Sequence, residues 1–139
     1  MREILFCGKR CDNGEWVQGY YIRADLHWHK HGIHKDWIVC SASANGGWFA
    51  LHNKYAVKSE TVGQFTGLTD KNGKKIFEGD IVRYMNKETM VVVWNNDSAS
   101  FAIAYSAINF NYLATISGAH IYLEVIGNIH DNPELLENP

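Results

Sequence analysis

The chain has 139 residues with Lys+Arg 13 against Asp+Glu 15, seven His, three Cys and two Pro, and it is 46% hydrophobic and 13% aromatic. A chain of this size and aromatic content can sustain a core without metals or disulfides, and a net charge of −2 does not suit a strongly basic nucleic-acid binder. No apolar run approaches the roughly 18 residues of a membrane span, the start lacks a long apolar stretch, and Cys7, Cys11 and Cys40 form no CxxC pair, so a reduced, cytoplasmic protein without a disulfide framework is expected.

Apolar residues recur with period two, and short runs of Val, Ile, Tyr and Trp are punctuated by Asn-Gly and Gly-Gly. The chain therefore reads as mainly β, a single domain over residues 1–139. Residues 4–9 and 16–22 form a hairpin around Asp12-Asn13-Gly14, because Asn-Gly supplies the positive φ of a tight turn. Residues 24–36 show no sustained period and are assigned to an irregular segment. Residues 37–40 and 48–51 read as short strands with a small-residue loop over 41–47, and 55–65 continues extended with a turn at Ser59-Glu60-Thr61. A three-strand meander is predicted over 81–84, 90–94 and 100–105. Within its last strand Phe101, Ile103 and Tyr105 take one face and Ala102 and Ala104 the other, which admits close approach. A short helix over 107–115 and a closing strand over 122–129 follow. Asn132-Pro133-Glu134 has the cap, first-position Pro and first-turn Glu of a helix start. The predicted fold is a small bent antiparallel sheet or barrel-like domain, in its closed form a β barrel, with a short C-terminal helix. Trp16, Tyr20, Trp37, Trp48 and Trp94 are expected mostly in the core and Trp28 exposed.

The segment Gln64-Phe65-Thr66-Gly67-Leu68-Thr69-Asp70-Lys71-Asn72-Gly73-Lys74-Lys75-Ile76-Phe77-Glu78-Gly79-Asp80-Ile81-Val82 resembles the signature of YopX-like phage and prophage proteins. The tail Glu124-Val125-Ile126-Gly127-Asn128-Ile129-His130-Asp131-Asn132-Pro133-Glu134-Leu135-Leu136 is similar to the same family's ending, as is the start around Arg2-Glu3-Ile4-Leu5-Phe6 and Gly14-Glu15-Trp16-Val17. The resemblance implies a mostly β phage or prophage protein without an established activity, and it transfers no catalytic residue. The His-rich segment and residues 106–119 depart from the shared motifs.

Three sites can be drawn from residue chemistry. His27, His29 and His31 would share a face in an extended segment, where three imidazoles suit zinc, nickel or copper in a metal-dependent enzyme; Lys30 and Lys35 among them favour a solvated loop instead. Lys71, Lys74, Lys75, Arg83 and Lys87 group beside Phe77 and Tyr84, as a nucleic-acid-binding module requires, while a solvated hairpin face is the favoured explanation. Asp70, Glu78 and Asp80 offer carboxylates, each in a turn where backbone geometry accounts for it. A Cys7 or Cys11 nucleophile lacks a helix start or basic cluster to lower its pKa, and no GxxxxGK or GxGxxG loop is present.

No catalytic constellation is complete and no cofactor is called for. The expected function is a non-enzymatic accessory or interaction protein that self-associates, with a host or phage protein as a further partner and no membrane. All thirteen basic residues fall between Arg2 and Lys87 alongside nine acids, whereas residues 88–139 carry six acids and no Lys or Arg. Complementary faces would orient such an assembly unless the two parts interleave in one fold.

Overall fold

The structure, a computed structural model, describes residues 1–28, 32–105 and 113–137. Two compact units emerge, divided between Gln64 and Phe65.

In the first unit β1 (Phe6–Lys9), β2 (Trp16–Trp28), β3 (Gly32–Asn45) and β4 (Trp48–Ala56) run antiparallel in the spatial order β4-β3-β2-β1. The first two residues of β5 (Gly63–Thr69) pair on the far side of β1, Cys7 opposite Gly63 and Phe6 opposite Gln64. The predicted first hairpin is present: β1 pairs with β2 from Phe6↔Gly19 to Lys9↔Trp16, and Gly14 in the turn takes φ 73°. Arg10 and Asp12 pair across that turn at 2.6 Å. Ser59–Thr61 forms one 3₁₀ turn, fastened where Thr61 Oγ1 accepts the Lys9 N–H at 2.9 Å.

Of the segment 24–36, expected above to be irregular, residues 24–28 and 32–36 lie instead in β2 and β3, whose pairing shifts register between Arg23↔Asp36 and Leu26↔His34, and residues 29–31 lie outside the described residues. That shift inserts one extra residue on the β2 side, a bulge that breaks the period of two by which a strand is recognised. Likewise the small-residue stretch 41–47 continues β3 as far as Asn45, with only Gly46 and Gly47 turning, at φ 58° and 86°. Ser and Ala carry little strand preference of their own, and β4 supplies the ladder that holds them. Trp37, Ile38, Val39, Ala56 and Val57 form the buried centre. Trp48 is not in it; it is 83% exposed.

In the second unit the rest of β5 pairs with β6 (Lys75–Phe77), and β7 (Asp80–Tyr84), β8 (Glu88–Asn95), β9 (Ser100–Ala104), β10 (Leu113–Thr115) and β11 (Leu123–Asn128) form one antiparallel sheet in the order β10-β9-β8-β7-β11. The meander β7-β8-β9 is as predicted. Central β8 buries Met90, Val91, Val92 and Val93 in succession because both of its faces are covered. On one face Met90 and Val92 join Ile76, Val82, Ile103, Ile116 and Leu123. On the other, Val91 and Val93 meet Ala102 and Ala104, and Ile129 and Leu136 pack against them. The alanines thus admit the C-terminal segment that ends in α1 (Glu134–Glu137).

The predicted β barrel is not formed. Closure requires the last strand to bond to the first with a fixed stagger, and among the described residues β10 and β11 end the sheet on opposite sides. β10 is only three residues long, and β11 is broken by a register shift between Val125 and Gly127, after which the chain turns towards α1. The sheet is bent and open. Of the predicted helix over 107–115, residues 107–112 lie outside the described residues, and 113–115 are strand β10, paired with β9. No helix among the described residues is long and apolar enough to cross a membrane.

Candidate functional site

The segment 64–82 is built around turns, and Asp70 and Asp80 serve the backbone. Asp70 accepts the N–H groups of Asn72 and Lys74 with Oδ1, each at 2.9 Å, and that of Val125 on β11 with Oδ2 at 2.9 Å. The adjoining Lys71 N–H donates to the Leu123 carbonyl at 2.9 Å, so the turn is laced to β11 at two consecutive residues. Burial pushes the Asp70 carboxyl up, but the Val125, Lys74 and Asn72 donors outweigh it and hold it below the ordinary range. Gly73 takes φ 81° in this turn, a conformation that asparagine-glycine pairs reach cheaply.

Asp80 behaves in the opposite way. It accepts the Phe77 N–H at 2.9 Å, which closes the turn through Glu78 and Gly79, but burial raises its carboxyl from 3.8 to about 6 against that bond and the Lys74 charge. A group whose folded pKa is raised binds its proton more tightly in the fold, so its contribution to stability is complete below 3.8 and is lost as pH rises through about 6. Asp80→Asn keeps an oxygen for Phe77 and removes the buried charge. Stability measured by urea unfolding at pH 8 should rise by about 1–3 kcal/mol, and the wild-type decline between pH 4 and pH 6 should flatten. An unchanged pH profile would refute this role. As a general base Asp80 has its nearer oxygen already committed to a backbone donor.

The five basic residues are spread over the β5–β6 turn (Lys71, Lys74), β6 (Lys75), β7 (Arg83) and the β7–β8 turn (Lys87). Lys71 Nζ lies 3.1 Å from Asn86 Oδ1 and 3.4 Å from Glu124 Oε2. Arg83 on β7 stands opposite Glu124 on β11 and Thr89 on β8, so the same acid stands between the two cations. Lys75 Nζ sits 5.4 Å from the Phe65 ring centroid, and Lys87 occupies the β7–β8 turn, its N–H bonded to the Tyr84 carbonyl.

The same turn carries a group that the composition did not single out. Met85 and Asn86 both adopt positive φ, 50° and 60°, and Met85 donates its N–H to the Tyr122 carbonyl. Tyr84 and Tyr122 meet edge-to-face at 6.2 Å, and Met85, Ile121 and Tyr122 are all exposed. A methionine is unusual in a turn that favours Asn or Gly, and that mismatch was the available signal.

Of the histidines proposed as ligands, His27 lies on β2 opposite Ile33, and His29 and His31 lie outside the described residues. No group of three or more His, Cys, Asp or Glu that could hold a metal occurs among the described residues. No disulfide joins the cysteines: Cys7 is buried on β1, and Cys11 lies in the following turn. Partial burial pushes the Cys11 thiol up, away from the thiolate a nucleophile needs.

The fold is similar to that of protein EF1440 from Enterococcus faecalis, whose crystal structure matches with a TM-score of 0.58 at 21% identity over 98% of this chain and 99% of that one. No curated protein matches the chain. The family model described as YopX protein matches residues 7–137, a span that takes in the 64–82 turns, the Asp70 link to β11 and the turn into α1. With nearly its whole length matched, the chain belongs to the YopX family of phage and prophage proteins, whose function is undefined.

Proposed function

We propose that this protein is a non-enzymatic interaction protein that assembles with copies of itself in the cytoplasm of a bacterial host, with a host or phage protein as a further partner. One observation carries the reading. The β3–β4 hairpin continues past the point where β2 stops pairing, at Tyr20↔Val39, as a ribbon of two strands joined by Gly46 and Gly47. Residues 40–53 contain no Asp, Glu, Lys or Arg, and every one whose exposure is described is exposed or half-buried. A lone two-stranded ribbon is marginal in water, and nothing in this one repels a neighbour electrostatically.

Light scattering on tag-free protein tests the reading. A multimer whose mass holds on dilution and from low to moderate salt is expected, because an uncharged contact is little affected by screening. Salt-induced dissociation would favour the charge asymmetry between residues 1–87 and 88–139 as the cause instead. A monomer throughout would overturn self-association.

A nucleic-acid-binding reading of Lys71, Lys74, Lys75, Arg83 and Lys87 draws support from the exposed Tyr122 that packs on Tyr84 close to them. It requires binding to single strands that weakens steeply as salt rises, since each neutralised phosphate releases counterions. Binding flat across salt, or none, removes it.

A further inference from the structure

We infer that the outer edge of β4 pairs antiparallel with β4 of a second copy of this chain, about a twofold axis at or beside Ala50. The inference rests on the self-association proposed above and names its surface. β4 is the last strand of its sheet in the first unit. Its far end is covered: the Cys11 N–H donates to the Ala56 carbonyl at 2.9 Å, and Arg10 bridges to Val57. From Trp48 to Tyr55 its outer edge has no strand partner among the described residues. Such an edge presents a row of backbone donors and acceptors, and proteins that stay monomeric usually blunt it with charge, proline or a covering loop. Residues 48–53 carry neither charge nor proline.

The missing charge also selects the occupant. In a twofold strand pair every residue faces a residue of the same strand, so a charged edge is prone to set like charges across the seam, which is destabilising. A twofold at Ala50 sets Trp48 opposite His52 of the partner copy, on the face that Ser41, Ser43 and Asn45 share across the β3–β4 ladder. Lys54 then falls opposite Gly46, and no charge faces a charge. Intramolecular bonds already hold that face: Ser43 Oγ lies 2.6 Å from His52 Nε2, and Asn53 Nδ2 donates to Ser41 Oγ at 3.4 Å. Trp48, 83% exposed, gains cover that its own unit does not provide.

Ala50→Lys and Ala50→Glu test the pairing, because Ala50 is exposed and tolerates either side chain in a single copy. Each variant alone is expected to lose the wild-type association by light scattering, with its circular dichroism unchanged, and an equimolar mixture is expected to recover it. If wild type associates and both variants still do, or if both dissociate and the mixture does not recover, the β4 seam is wrong while self-association stands. If wild type is a monomer, self-association itself fails. Amide hydrogen exchange on wild type gives a reading independent of the variants' folding: protection across 48–53 should rise with protein concentration, and protection that is constant while the mass changes overturns the seam.

Discussion

Asp70→Ala is expected to lower the stability of the second unit by about 3–5 kcal/mol, because three backbone N–H groups lose a charged acceptor and at least part of that desolvation is not recovered. Two of those donors, Asn72 and Lys74, shape the turn between β5 and β6, and the third, Val125, lies on β11. The single side chain therefore closes a turn and joins it to a strand 55 positions away in sequence. Urea unfolding at pH 7 measures the loss. Asp70→Asn should fall between wild type and alanine, since an amide oxygen accepts without the charge. The pH dependence is opposite to that of Asp80. The Asp70 pKa is depressed in the fold, so its contribution is complete above the unfolded value of about 3.9 and is lost as pH falls from there through the lowered native value. Wild type and Asp70→Asn should accordingly converge in acid. An alanine variant within 1 kcal/mol of wild type at pH 7 would contradict this account.

Gly19→Ala is expected to destabilise the first unit by about 2–3 kcal/mol, as overpacking against backbone does. A Cβ built on Gly19 would stand 2.5 Å from the Val39 carbonyl oxygen and 3.0 Å from Ile38 Cγ2. Neither neighbour can swing aside, because Ile38 and Val39 are buried in the centre of β3 and paired on both sides. The relief must come from separating β2 from β3 beside Tyr20↔Val39. Faster amide exchange at 37–39 together with a lower urea midpoint is the expected signature. Gly46→Ala serves as the comparison: nothing lies within 4 Å of its Cβ, and the cost there comes only from φ 58°. That cost should be about 1 kcal/mol. Equal losses at the two positions would mean that backbone conformation, not close approach, governs Gly19.

What could be read in the chain was what depends on near neighbours. Asn13-Gly14 specifies its hairpin because the positive φ that the turn needs is one Gly14 adopts readily, and Asp70-Lys71-Asn72-Gly73 specifies its turn for the same reason at Gly73. The β7-β8-β9 meander was legible because each strand is a short run of apolar and β-branched residues bounded by Asn- and Asp-containing turns. The carboxylates were legible as structural, since Asp and Gly in turns serve the backbone, but that Asp70 reaches Val125 was not, because nothing near Asp70 encodes a contact with β11.

By itself, then, the sequence determined a mainly β, single-family chain with its principal turns in place and its YopX membership legible in two motifs. The tertiary structure decided the rest. It converted residues 24–28 and 32–36 into strand, with a bulge where the ladder passes from Arg23↔Asp36 to Leu26↔His34. It left the sheet open where alternation alone allowed a barrel, since closure is a matter of stagger among strands far apart in the chain. It buried Ala102 and Ala104 beneath the C-terminal segment and left Trp48 exposed at the ribbon's turn. Hydrophobicity states that a side chain would gain from burial, and only the ladder and the packed neighbours determine whether anything is there to bury it.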